Sequence, residues 1–230
     1  MAIFSVLVLT AAPPGQAAEA GGAFAKIDGR EVLMRAVELF LNRDNVKQIQ
    51  VVFAADALED AKRKFGGHFS FAGVKVVSSG ARWIEQFAAG AEKLNPDATH
   101  VILHDGARPA VPYTDIENLM EIAEKATAAT LVTPARSPLV EVDEGGLPVA
   151  SHSPDRFQHL LTPQVFKKEK YLALAKAKQE LHASEWTLVK GSPLNVRVGG
   201  PGDEKIAKAM LAMLPKKKIA ASSPFEEAQW

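Results

Sequence analysis

From the N-terminus, the chain opens on a continuous apolar run, Ile3–Leu9 (IFSVLVL). That is the pattern of a strand covered on both faces. Arg30–Leu41 then sets Val32, Leu33, Ala36, Val37 and Phe40 at helical spacing, which predicts an amphipathic helix. The alternation continues with a strand over Gln48–Phe53, a charged helix over Asp56–Phe65, and a short strand over Val74–Val77. A helix from Arg82 to Leu94, a strand over His100–Leu103, a helix over Tyr113–Lys125 and a strand over Thr130–Thr133 follow. Strands alternating with helices of this length imply parallel pairing through right-handed crossovers, hence an α/β, doubly wound, Rossmann-like sheet. Ligands of such sheets bind beyond the carboxyl ends of the strands. The loops of interest are therefore 10–24, 54–56, 78–82 and 104–109.

The pattern changes between Pro134 and Ser153. Pro138–Ala150 reads as a β-hairpin turning at Asp143-Glu-Gly-Gly146, an insertion suited to a lid or a dimerisation arm over about 136–153. Helices return at Lys167–Leu181 and Asp203–Leu214, with a strand expected at Asn195–Val198 between them. The 230 residues fit a single domain over 1–214, followed by a tail over 215–230.

Charge and composition narrow the chemistry. Lys plus Arg and Asp plus Glu both number 27, which argues against charge-driven binding to nucleic acid or an anionic membrane. There is no cysteine, so thiolate metal sites and cysteine nucleophiles are excluded. Residues 2–12 are too short to span a bilayer and no basic segment precedes them, so the expected location is the cytoplasm. No HExxH, GxSxG, GxxxxGK[ST] or well-formed GxGxxG occurs.

Three stretches could carry chemistry. In His104-Asp-Gly-Ala-Arg-Pro109 a strand ends in a carboxylate, a small residue admits close approach, and an arginine follows. Asp105 there can hold a metal-bound phosphate or orient a hydroxyl, or merely cap the turn with Arg108 as its partner. Ser153-Pro-Asp-Arg156, followed by Leu160-Leu-Thr-Pro-Gln164, puts Arg156 just after the hairpin. A mobile arm could bring that guanidinium over a phosphate, and a surface Asp–Arg pair is the alternative. In Asn195-Val-Arg-Val198, Arg197 alternates against valines before a glycine-rich turn, so it points either into the cleft or outward from an edge.

HDGARP, DR…LTPQ and NVRV in this order resemble the methylerythritol phosphate cytidylyltransferase family, over about residues 3–214. The resemblance implies a Rossmann-like nucleotidyltransferase three-layer sandwich with an inserted hairpin arm. It also implies transfer of CMP from CTP to 2-C-methyl-D-erythritol 4-phosphate or a related polyol phosphate, dependence on Mg²⁺, and a homodimer exchanging arms. Asp105, Arg156 and Arg197 are then the catalytic residues, with Asp105 also facing the metal. Ala11, Ala12, Gly15, Gly80, Gly106 and Arg197 lie at the nucleotide, and Asp105, Arg108, Arg156 and Thr162 at the acceptor.

The departures concentrate on the nucleotide side. The family's first loop, roughly AAGxGxRM…PKQ, is here Ala11-Ala-Pro-Pro-Gly15, shorter and without its Arg and Lys. Lys26 and Arg30 are the nearest cations to replace them. The family's Arg-x-x-Ser becomes Trp83-Ile-Glu-Gln86 when Gly90 anchors the comparison, and Arg136-Ser-Pro-Leu-Val140 lacks the usual threonine and lysine. These changes keep two other expectations open: an impaired relative acting as a binding or regulatory protein, and a nucleotidyltransferase with another nucleotide or acceptor.

Overall fold

The computed structural model describes residues 1–16 and 19–215; of the expected tail, 215–230, all but Pro215 lies outside the described residues. A seven-stranded sheet organises them. In chain order the strands are β1 (Phe4–Leu9), β2 (Lys26–Ile27), β3 (Arg30–Glu31), β4 (Val46–Ala54), β5 (Lys75–Ser79) and β6 (His100–Asp105). They continue with β7 (Ala128–Pro134), β8 (Leu139–Val142), β9 (Pro148–His152), β10 (Gln158–Lys167) and β11 (Thr187–Lys190). The helices are α1 (Val32–Glu38), α2 (Leu58–Phe71), α3 (Trp83–Ala89), α4 (Tyr113–Ala123), α5 (Lys168–Ala177) and α6 (Asp203–Met213). The sheet order is β11-β7-β10-β6-β1-β4-β5, with β2–β3 and β8–β9 as separate two-stranded pairs.

Every residue of β1 is buried, because its alternate side chains enter two different cores. Val6 and Val8 pack with Leu33 and Val37 of α1, Phe65 and Phe69 of α2 and Ile116 of α4. Leu7 and Leu9 face the opposite layer, with Trp83 and Phe87 of α3 and Tyr171 and Leu174 of α5. The result is the expected helix–sheet–helix sandwich. Gln48 and Gln50, alternating within β4, send their amides to the carbonyl of Lys93 at 2.8 and 3.1 Å and so fasten the chain leaving α3.

Four departures from the sequence expectations have physical causes. The sheet is mixed, because β10 runs antiparallel to both β6 and β7. That strand was hidden by Pro163, which sits where the β10–β7 register shifts between Leu161 and Gln164; a residue without an N–H fits a ladder only at such an irregularity. The four-residue edge strand β11 gave no usable pattern. Asn195–Val198 is not a strand: Val198 donates to the carbonyl of Ala107 and Val196 to that of Leu194, so the segment belongs to the loops around the site. The first helix begins at Val32, because Arg30 and Glu31 pair with Lys26 and Ile27. Among the described residues no helix is long and apolar enough to cross a membrane.

In register, Leu9 lies beside Asp105 and Val52, and Val52 beside Val77. Parallel strands in that alignment bring the loops after β1, β4, β5 and β6 to one edge. Gly90, which follows α3, holds that helix close to the sheet. A Cβ there would stand 2.5 Å from Leu7 Cδ1 and 3.0 Å from the Tyr171 hydroxyl. Gly90→Ala should therefore cost about 1–3 kcal/mol, read as a lower urea midpoint with unchanged slope. An unchanged midpoint would show that α3 can move away freely.

Candidate active site

Asp105 ends β6 with its carboxylate 1% exposed. Oδ1 accepts the amide of Ala107 at 2.9 Å and closes a tight turn, which the Arg108 amide continues by donating to the Asp105 carbonyl. The turn lies against the body of the fold. Gly106 donates to the carbonyl of Leu9 at 2.8 Å. A Cβ on Gly106 would meet Leu33 and that carbonyl, both at 2.9 Å. Its glycine is therefore required by close packing, whatever lies above it.

The Arg108 side chain turns inward. Its Nη1 donates to the Asn195 carbonyl at 2.8 Å, and its Nε lies 3.8 Å from Asp105 Oδ2, buried and without a hydrogen-bond acceptor. Burial lowers the pKa of this guanidinium, while Asp105 opposes the shift. Arg197 reaches the same carboxylate from the other side, with Nε 2.7 Å from Oδ2. Its backbone is held in place by the Val198–Ala107 bond and by the following turn. In that turn Asp203 accepts the amides of Gly199 and Gly200 at 2.9 and 2.7 Å, contacts that hold its pKa low. Two guanidiniums therefore converge on one buried carboxylate, and the Asp203 carboxylate lies near enough to Arg197 for the two charges to interact.

Beneath it runs a chain of polar groups whose directions are all determined. The carbonyl of Arg108 can only accept, so His104 Nε2, 3.0 Å away, carries the ring proton. Nδ1 is then an acceptor and takes the Thr162 hydroxyl proton at 3.2 Å. The Thr162 oxygen accepts the Asp105 amide at 3.0 Å, and the Thr162 carbonyl accepts Asn195 Nδ2 at 2.7 Å. Thr162, expected at the acceptor, thus also locks β10 to the end of β6. A histidine at a strand end reads from sequence as a satisfied core residue rather than a ligand, and His104 is one; its partners, and the role of Asn195, are not readable from spacing.

The loop after β1 meets a different partner. Gln86 of α3, 1% exposed, places Oε1 2.9 Å from the amides of both Thr10 and Ala11. Pro13 and Pro14 have no N–H, and the amide of Gln16 donates to the carbonyl of Pro13. Ala12 and Gly15 stand in the same loop, Gly15 with a left-handed φ of 71°. Gly80, expected at the nucleotide, lies against Glu85: a Cβ there would collide with that carboxylate, which Arg82 pairs at 2.7 Å. Among the described residues, the two nearby cations pair elsewhere. Lys26 faces Glu31, and Arg30 pairs with Glu38.

Arg156 is exposed in a helical turn at the base of the β8–β9 hairpin and makes no ion pair with Asp105 within the chain. A cavity of about 210 Å³ opens between the first loop, α3 and β10, lined by Pro13, Trp83, Arg108, Thr162, Gln164 and Trp186 among others. The donor set does not fit a resident metal ion. Asp105 already shares both oxygens with protein donors, and no cluster of three or more His, Asp or Glu occurs among the described residues.

Burial depresses the His104 pKa to about 3 from an ordinary 6.5. The unfolded chain protonates this ring near 6.5 while the folded chain does not. The site's contribution is therefore complete above pH 6.5 and declines as pH falls towards 3, by up to about 1.4 kcal/mol per pH unit. His104→Gln should flatten the fall of the unfolding midpoint between pH 6.5 and about 4. Parallel profiles for the two proteins would contradict this.

Known proteins resemble this chain in sequence and in fold. The curated 2-C-methyl-D-erythritol 4-phosphate cytidylyltransferase of Clostridioides difficile is 23% identical over 208 residues, covering 85% of this chain and 88% of that protein. The protein of that name from Halalkalibacterium halodurans is 27% identical over 225 residues, with 90% and 96% covered. The solved 4-diphosphocytidyl-2C-methyl-D-erythritol synthase of Anaerococcus prevotii superposes with a TM-score of 0.74 at 18% identity, over 92% of this chain and 96% of that one. The 2-C-methyl-D-erythritol 4-phosphate cytidylyltransferase of Thermus thermophilus gives 0.69 at 22%, over 90% and 98%. Residues 5–213, from the first strand to the end of the last described helix, match the family described as IspD, and the chain belongs to the 2-C-methyl-D-erythritol 4-phosphate cytidylyltransferase family.

Proposed function

We propose that the chain transfers CMP from CTP to 2-C-methyl-D-erythritol 4-phosphate or a closely related polyol phosphate, releasing pyrophosphate. The observation that carries this reading is the convergence of Arg108 and Arg197 on Asp105, at the carboxyl ends of the parallel strands. In the reaction a phosphate oxygen of the acceptor attacks the α-phosphorus of CTP. A new P–O bond forms, the bond to the bridging oxygen of the β-phosphate breaks, and pyrophosphate leaves with the electron pair. Such transfers depend on positioning and charge neutralisation. Arg197, oriented through Nε by Asp105, supplies positive charge at the phosphates. Arg108 and Thr162 line the cavity offered to the acceptor. A divalent ion such as Mg²⁺ enters with the nucleotide as part of the substrate.

The hairpin supports a homodimer. Leu139, Val140, Val142, Leu147 and Val149 are exposed along an arm that is itself exposed on nearly every residue. A second copy covering that arm would bury apolar surface and bring Arg156 to the partner's acceptor. A binding or regulatory role is the second reading, favoured by the proline-bearing first loop with its amides held by Gln86.

Purified protein with CTP, Mg²⁺ and the acceptor should release pyrophosphate. Arg197→Ala should lower kcat/KM by about 10²–10³, the cost of removing one charge-stabilising donor. Arg156→Ala and Arg197→Ala chains, co-expressed, should regain activity that neither has alone, since each mixed dimer keeps one intact site. No release from the wild-type protein together with no CTP binding would favour the binding role. Release without complementation would remove Arg156 from the partner's site.

A further inference from the structure

Two unlike sets of side chains line the cavity of about 210 Å³. One is aromatic: Trp83 and Phe87 from α3, Phe166 from β10, and Trp186 from the segment after α5. These rings pack on one another. Phe166 meets Trp186 edge-on with centroids 5.2 Å apart and Phe87 at 6.0 Å. Phe87 in turn meets Tyr171 at 4.9 Å, whose hydroxyl donates to the Phe87 carbonyl. The wall is thus held by the core and does not fold away from a guest. The other set is polar and belongs to the ring around Asp105. Arg108 is 6% exposed; its Nη1 is bonded to Asn195, while its Nε is buried without a hydrogen-bond acceptor. Asp105 lies 3.8 Å from that Nε, but Arg197 already holds the same oxygen at 2.7 Å. Glu180, a carboxylate among the lining residues, is exposed, so its charge stays in water. A buried, incompletely paired guanidinium beside an aromatic wall suits an anion that carries apolar carbon.

We propose that this cavity makes the chain selective for an acceptor phosphate whose carbon chain bears an apolar branch, with the phosphate at Arg108 and the branch against Phe166 and Trp186. This selectivity rests on the nucleotidyltransferase reading and narrows its acceptor. The volume suits such a group, since benzene fills an apolar cavity of about 150 Å³. A methyl branch against the wall leaves water for apolar surroundings, whereas a hydroxyl there loses its water without gaining a partner. One carbon of this kind in a hydrophobic pocket changes kcat/KM by about 10–200-fold. Trp186 is the specificity-determining residue of the wall. It is half-buried, so it can be replaced without emptying the core, unlike Phe87 and Phe166.

Trp83 and Trp186 are two of the three tryptophans in the chain. A Trp230→Phe background leaves those two alone, so indole fluorescence reads occupancy of the cavity without turnover. On that background the full chain is titrated with 2-C-methyl-D-erythritol 4-phosphate and with D-erythritol 4-phosphate, which lacks only the methyl branch. Each titration is run with and without Mg²⁺ and the α,β-methylene analogue of CTP, which cannot release pyrophosphate. Kd should be at least about tenfold lower for the branched ester, and kcat/KM for pyrophosphate release from CTP should show the same preference. Trp186→Leu, which keeps the wall apolar, should retain most of the preference, and Trp186→Gln should bring the two esters towards equality, each variant first shown to be folded by its melting curve. Equal binding of the two esters by the protein with Trp186 intact, binding of neither under either condition, or a preference undiminished in a folded Trp186→Gln overturns the proposal. The first two outcomes decide the matter even where the Trp186 variants do not fold. Pyrophosphate release with equal efficiency from both acceptors would overturn the selectivity and leave the transferase reading standing. Tighter binding of the branched ester without any release would support the selectivity of the cavity and remove the transferase reading instead.

Discussion

A buried carboxylate must be paired or it costs several kcal/mol, and the carboxyl edge of this sheet is built around that requirement at Asp105. One oxygen takes the Ala107 amide and fixes the turn after β6; the other takes Arg197, with Arg108 nearby. Arg108 then holds Asn195, Asn195 holds Thr162, and Thr162 returns to the Asp105 amide through the same hydroxyl that bonds neutral His104. Three segments far apart in sequence, 104–108, 162 and 195–198, therefore form one hydrogen-bonded ring. The geometry of the site and the pairing of β10 with β6 are parts of one structure.

This sharing explains what could be read from sequence. The apolar runs of β1, β4 and β6 and the helical spacing of the first and fourth helices follow local periodicity, and the sandwich follows from their alternation. The hairpin was legible because Asp143 and Gly146 make a recognisable turn. The ring was not legible, because it depends on β10, whose Pro163 mimics the end of a strand, and on 195–198, whose alternation suggests a ladder. Val198 instead spends its amide on Ala107. Asp105, Arg108, Thr162 and Arg197 could be named from their motifs, but their mutual contacts could not, since no spacing rule links residues 57 or 92 positions apart.

The first loop shows the converse case. Its prolines and missing cations stand out in the sequence, yet Gln86, which defines what its amides do, lies 75 positions away from Ala11 on a helix whose inner face otherwise reads as plain core. The family's fold is kept, and the amides of Thr10 and Ala11 at the end of its first strand are bonded within the chain, to Gln86.

The account stands on the Asp105–Arg197 pair acting as a unit. A double-mutant cycle with Asp105→Asn, Arg197→Gln and the combined variant, measured by urea unfolding, tests it most directly. If the two are coupled, removing either alone costs more than its share, and the cycle yields an interaction energy of about 1–3 kcal/mol. Additive effects within about 0.5 kcal/mol would contradict the account, showing two charges that share a site without sustaining it.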